Sequence, residues 1–393
     1  MRIPAALLAS TLLAACATAP VPRPPAHLFD DGAFVAPSVR IDAADVLAVS
    51  PEMKRFVSTE VDGHLRAKGR MQGLVDAISN KSQLKLEYDS ALTRNASEAF
   101  AARTGNCLSL VLMSAALAKE LGLSFRYQHV YLDESWGRFG DMQLAIGHVN
   151  LALGSTRPDP GVLPNGADVL TIDFLPSQDV RGLRTRVIGE GTVIAMYMNN
   201  RAVESLAGGE LNDAYWWVRE SIRQDPGYLS AYNTLGAVYR RNDDPASAAR
   251  VYAYVLAREP KNTRVMSNLA SVLNDLGRVA ESRELSRRLK ELEPDPPFKF
   301  FYLGLAAMRK GEFEAARDLF AREVGRAPDY HEFHFWLAAA YVGLGDTEKA
   351  RRHLKLAIEN STTRKDHDLY AAKLDRINAF RRPDSGRESV IRH

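Results

Sequence analysis

The chain has 393 residues, 46% of them hydrophobic and 25% charged, and a formal net charge of +3. That length suits two or three domains, and the scattered, nearly balanced charge gives no pointer to a polyanion, so no nucleic-acid partner is expected. The two cysteines, Cys16 and Cys107, leave no disulfide framework; neither a zinc-spaced Cys/His cluster nor a phosphate-cradling glycine loop occurs, so no metal or cofactor is expected.

Residues 1–16 read as an export signal: Arg2 supplies the positive start, and 5–13 form an apolar core too short to span a bilayer. The run Leu13-Ala14-Ala15-Cys16 resembles the bacterial lipobox, which implies that Cys16 receives a diacylglycerol and becomes the mature N-terminus. Acyl chains contribute about 0.8 kcal/mol per buried methylene, so several on one residue would hold a soluble domain at a membrane. Ala17 stands where an Asp signals inner-membrane retention in some bacteria, so the same resemblance implies an outer-membrane anchor facing the periplasm. Residues 17–40, with Pro20, Pro22, Pro24 and Pro25, are expected to be an extended tether of about 3 Å per residue.

A domain is expected over 41–190, and its most informative residue is Cys107. With Cys16 inside the signal, this thiol has no disulfide partner. It follows Arg103-Thr104-Gly105-Asn106 and opens the apolar run 108–121, closed by Gly122, which predicts a buried helix with the sulfur at its N-terminus. Helix N-termini favour thiolate through the macrodipole and unpaired N–H groups. Downstream, His148 in 143–153 and Asp173 in 168–175 lie in aliphatic, β-branched segments that predict strands, separated by loop signals such as Pro158, Pro160 and Pro164-Asn165-Gly166. A thiol attacking an acyl carbon needs a base and a third group to orient that base. Asp159, Asp168 and Asp179 compete with Asp173, but Asp173 alone lies inside the apolar strand, where a buried carboxylate requires a partner. His129 is a second strand histidine. Asn150 shares a strand face with His148 and stays unassigned. The 132–142 stretch predicts a loop able to cover the site.

At these residues the chain resembles the transglutaminase-like superfamily, a branch of the papain-like fold. The similarity runs over about 74–175 and is best in Ala96-Ser97-Glu98-Ala99-Phe100-Ala101-Ala102-Arg103-Thr104-Gly105-Asn106-Cys107, followed by the helix and the His and Asp strands in order. It implies an α+β papain-like domain with Cys107 as nucleophile, His148 as base and then acid, and Asp173 as the orienting carboxylate. Val149-Asn150 and Val169-Leu170 stand where many members carry an aromatic residue after the His and a Trp before the Asp strand.

From about 191 the sequence repeats with a period of 34 residues. Pro226, Pro260, Pro294 and Pro328 recur in phase, as do Gly209, Gly277, Gly311 and Gly345, with Asp243 filling the missing place. Small residues form two further columns: Ala202, Gly236, Ala270, Gly304 and Ala338, and Ala214, Ala248, Ser282, Ala316 and Ala350. This pattern resembles the tetratricopeptide repeat, two antiparallel helices per unit. It implies an all-α solenoid of five repeats, 195–228, 229–262, 263–296, 297–330 and 331–364, a capping helix at 365–380, and a solvated tail at 381–393. Gly189 and Gly191 mark a boundary at which the array is expected to separate. Its concave groove implies a protein or peptide partner, with early aromatics such as Trp216, Trp217, Tyr228 and Tyr232 mostly in the core.

The functional expectation is an envelope-anchored cysteine peptidase or amidase whose repeats recruit a protein or peptide. Hydrolysis is favoured over amine capture because no second substrate site is evident. A non-catalytic envelope scaffold using the repeats is the alternative.

Overall fold

The computed structural model describes residues 24–61, 69–79, 84, 86–90, 92–131, 136–139, 142–145, 147–154, 169–174 and 183–379. The export signal, Cys16, the tail 381–393, Asp159, Asp168 and Asp179 lie outside them.

The described strands are β1 (Glu87–Tyr88), β2 (Thr104–Gly105), β3 (Phe125–Val130), β4 (Trp136–Phe139), β5 (Met142–Ala145), β6 (His148–Leu153), β7 (Leu170–Ile172) and β8 (Thr185–Ile188). Four of them form an antiparallel sheet in the order β7, β6, β3, β8, with Val130 opposite His148 and Leu151 opposite Ile172. The helix Cys107–Glu120 packs on β6. Its residues from Cys107 to Ala118 are all buried, which explains why the segment is apolar all round and not striped. Two expectations change. The strand expected at 143–153 is broken before His148 into β5 and β6, and the stretch expected to be a loop contains β4 and the first residue of β5, which pair antiparallel.

Beyond β8 come five helix pairs: Glu190–Gly208 with Leu211–Gln224, Leu229–Arg241 with Pro245–Leu256, Thr263–Asp275 with Val279–Leu292, Lys299–Lys310 with Phe313–Arg326, and His331–Gly343 with Thr347–Glu359; Arg364–Ala379 closes the array. The first helix starts five residues ahead of the expected repeat. At the inner turns Gly209, Gly277, Gly311 and Gly345 have φ of 82°, 73°, 77° and 77°, and Asp243 takes the same left-handed conformation at 53°. In the small-residue column, a Cβ on Gly236 would overlap the Tyr252 ring and one on Gly304 the Phe320 ring. Glycine therefore stands where the opposing helix offers an aromatic ring.

The array and the first domain share an apolar core. One apolar cluster runs from Leu28 through the Cys107 helix, Val149, Leu151 and Val193 to Tyr252 and Val272. A second begins at Phe298, and the helices Val279–Leu292 and Lys299–Lys310 on either side of that joint barely touch, unlike those at the other joints. The Val279–Leu292 helix buries only Ser282. The array thus consists of repeats 1–3, fused to the first domain, and repeats 4–5 with the cap.

Part of the stretch expected to be a tether is folded. Residues 26–38 dock on repeats 1 and 2: Phe34 stacks on Tyr215 with ring centroids 3.9 Å apart, and the Tyr239 hydroxyl donates to the Leu28 carbonyl at 2.8 Å. Arg219 holds Asp31 through two 2.7 Å bonds, and Ser38 donates to the buried Asp213. Proline content suggested an extended chain, but Leu28 and Phe34 are apolar anchors that bury themselves on the first two repeats.

Candidate active site

The thiol is placed by two successive helix devices. Asn95 and Glu98 form a reciprocal capping box at the start of Ala96–Ala102, and Arg103 ends that helix at φ 55°, reversing the chain. Gly105 then passes close to Ser109, where a side chain would collide. Asn106 caps the next helix by accepting the Ser109 backbone N–H at 2.9 Å, so Cys107 is the first helical residue and its own N–H is left without an intrahelical acceptor.

His148 opens β6 and is 1% exposed. Its Nε2 lies 2.7 Å from Asp173 Oδ1, and Asn150 Nδ2 donates to Asp173 Oδ2 at 2.9 Å. Asp173 falls one residue beyond β7, in line with Asn150 once the β6–β7 register is continued, so both of its oxygens are held from one strand face. With Nε2 taken by Asp173, Nδ1 is the nitrogen left for Cys107, which lies near enough to the imidazole to act on its charge. Burial alone would depress His148, but Asp173 and Cys107 outweigh it and push its pKa up to about 9. The three expected residues therefore meet: a thiol at a helix start, an imidazole, and a carboxylate fixing the far side of the ring.

Two neighbours were not assigned from sequence. Asn150 positions Asp173, and its signal was the two-residue spacing from His148. Tyr88 lies on β1, which runs parallel to β2 with Tyr88 opposite Gly105, and its side chain is partly exposed. Separately, a cleft of about 270 Å³ lined by Val75, Ile78, Leu86, Thr171 and Phe174 reaches Asp173. His129 stays outside the triad, and burial, Arg186 and His148 lower its pKa. Among the described residues no group of three His, Cys, Asp or Glu side chains is arranged to hold a metal, and no helix is long and apolar enough to cross a membrane.

The C-terminal region carries tetratricopeptide repeats. Family models described as tetratricopeptide repeat match residues 239–299 and 302–364. A TPR repeat-containing protein of Pseudomonas aeruginosa is 28% identical over 142 residues, 36% of this chain and 23% of that protein, so the alignment spans under a quarter of the relative's length. Among solved structures, MamA is 19% identical, with 44% of this chain and 93% of that one covered and a TM-score of 0.25. Pseudomonas aeruginosa PilF is 18% identical, with 47% and 92% covered and a TM-score of 0.27. YrrB, described as a TPR protein with an unusual peptide-binding site, is 22% identical, with 46% and 92% covered and a TM-score of 0.26.

Proposed function

We propose that this protein is a cysteine acyl-transfer enzyme of transglutaminase-like type, a peptidase or amidase, whose tetratricopeptide repeats hold a protein or peptide substrate. The observation that carries the reading is the buried His148, hydrogen-bonded to Asp173 and set beside the Cys107 thiol. In the reaction the thiol proton already rests on His148 as imidazolium, the Cys107 thiolate attacks the acyl carbon, and His148 gives that proton to the departing amine. Water, deprotonated by the same imidazole, then cleaves the thioester, releasing the acid and restoring the thiolate and imidazolium. Asp173 holds the ring and stabilises imidazolium. The lipobox resemblance at Cys16 supports anchoring in the bacterial envelope, with the outer membrane favoured by Ala17.

A second reading, a non-catalytic envelope scaffold, is favoured by the family matches, which fall within the repeats, and by the burial of Cys107. Repeats of this kind commonly bind proteins or peptides through their groove. Alkylation separates the two. In protein lacking the first 23 residues, iodoacetamide at about pH 6 should label Cys107 faster than a free thiol and at least tenfold faster than in His148→Ala, with Asp173→Ala intermediate. A rate equal to that of a free thiol and indifferent to His148 would leave the scaffold.

A further inference from the structure

The first repeat reaches the thiol through a continuous chain of hydrogen bonds. Glu204, on Glu190–Gly208, accepts the Thr93 backbone N–H at 2.7 Å. Thr93, 1% exposed, accepts Asn106 Nδ2 on its hydroxyl at 2.9 Å. The other end of that amide, Oδ1, accepts both the backbone N–H and the hydroxyl of Ser109 at 2.9 Å and so caps the Cys107 helix. The Ser109 hydroxyl in turn accepts the Arg94 N–H at 2.8 Å. Arg201 ties the same point to the array: its guanidinium bonds Glu204 at 3.0 Å and the Thr93 carbonyl at 3.4 Å, and lies over the Trp217 ring at 5.6 Å.

Resting on the acyl-transfer reading, we propose that Glu204 is a positioning residue for the Cys107 thiol and the link through which repeat 1 governs the site. The geometry gives the reason. The Asn106 amide is held at both ends, its oxygen capping the helix and its nitrogen bonded to a threonine whose backbone is clamped by Glu204, so the clamp fixes the orientation of the cap. Released from the clamp, Thr93 and Asn106 relax together, the cap loosens, and the sulfur drifts from His148. Reactivity falls steeply with misplacement of well under an ångström to an ångström. A substrate engaging repeat 1 beside Trp217 and Arg201 would act on the same clamp.

The test is a double-mutant cycle on alkylation of Cys107, run well below each variant's measured melting temperature. Glu204→Ala should slow labelling about tenfold, Asn106→Ala should slow it equally, and the double variant should lose no more than either alone. Glu204→Gln, whose amide oxygen still accepts the Thr93 N–H, should restore most of the rate. A merely destabilised variant behaves differently, since its thiol labels at the free rate without regard to His148. A wild-type rate in Glu204→Ala, or losses that multiply in the double variant, would overturn the proposal while leaving His148 dependence intact. Labelling indifferent to His148 in the otherwise unchanged protein would instead bring down the acyl-transfer reading, and this proposal with it.

Discussion

Repeats 1–3 and repeats 4–5 share one backbone plan but are held in different ways. The Glu190–Gly208 helix buries eleven of its 19 residues, because it packs on repeat 1 with one face and on the first domain with another. Val279–Leu292 buries only Ser282, since the next helix barely touches it, and Val279 and Leu292 remain exposed. A solenoid unit is stable through its neighbours, so the difference predicts two cooperative units along one array. The second unit compensates with an aromatic core of Phe298, Phe301, Phe320 and Phe333. It touches the first domain again through Ser90, just after β1, whose N–H and hydroxyl bond Thr362 at 3.0 Å each.

The largest expected effect tests that division. Phe298 is fully buried, its ring centroid lies 5.4 Å from those of both Tyr330 and Phe333, and it opens repeat 4. Phe298→Ala should cost about 3–5 kcal/mol. Hydrogen exchange should show the lost protection confined to 299–379, with 190–275 unchanged. Loss spreading through the first domain would make the array a single unit.

A second test acts on the other block. The His148 pKa is pushed up to about 9 in the folded protein against about 6.5 for an unfolded histidine. Because the folded value is the higher, the stabilisation is complete below about pH 6.5 and disappears as pH rises through 9; its size is on the order of 3 kcal/mol. The advantage of wild type over His148→Gln, read from exchange protection in 107–153, should therefore shrink between pH 6 and pH 9.5. Protection in 299–379 should not differ between the two proteins. An advantage that stays constant with pH would mean that the imidazole is not charged by its partners.

What could be seen in the sequence followed from periodicity and residue chemistry. The 34-residue columns located every helix pair to within a few residues, since each turn and close contact imposes its own residue type, and Cys107, His148 and Asp173 were singled out as candidates by the order of helix and strands. What could not be seen depended on contacts distant in sequence. Nothing local marks Glu204 as the partner of Thr93, or Phe34 as a ring that would stack on Tyr215. The break between repeats 3 and 4 was equally hidden, because Pro294 and Gly277 keep perfect phase across a joint whose helices barely touch.

The smallest expected effect isolates backbone from packing. Asp243 sits at φ 53° in the column where the other four repeats place glycine. An L-residue in that conformation carries roughly 1–2 kcal/mol of strain, less for Asp, while glycine costs roughly 0.5–1 kcal/mol more chain entropy on folding. The two nearly cancel, leaving Asp243→Gly more stable by about 0.5 kcal/mol. Asp244, which caps Pro245–Leu256 by accepting the Ser247 N–H at 2.9 Å, would be untouched. The reciprocal change, Gly311→Asp, should lower the second block by a similar amount, because the turn is common to both blocks even though their packing is not. Urea midpoints resolved by block would register both shifts. If Asp243→Gly were destabilising, its carboxylate would be making a contribution larger than the strain of its backbone, and the two blocks would differ in their turns as well as in their cores.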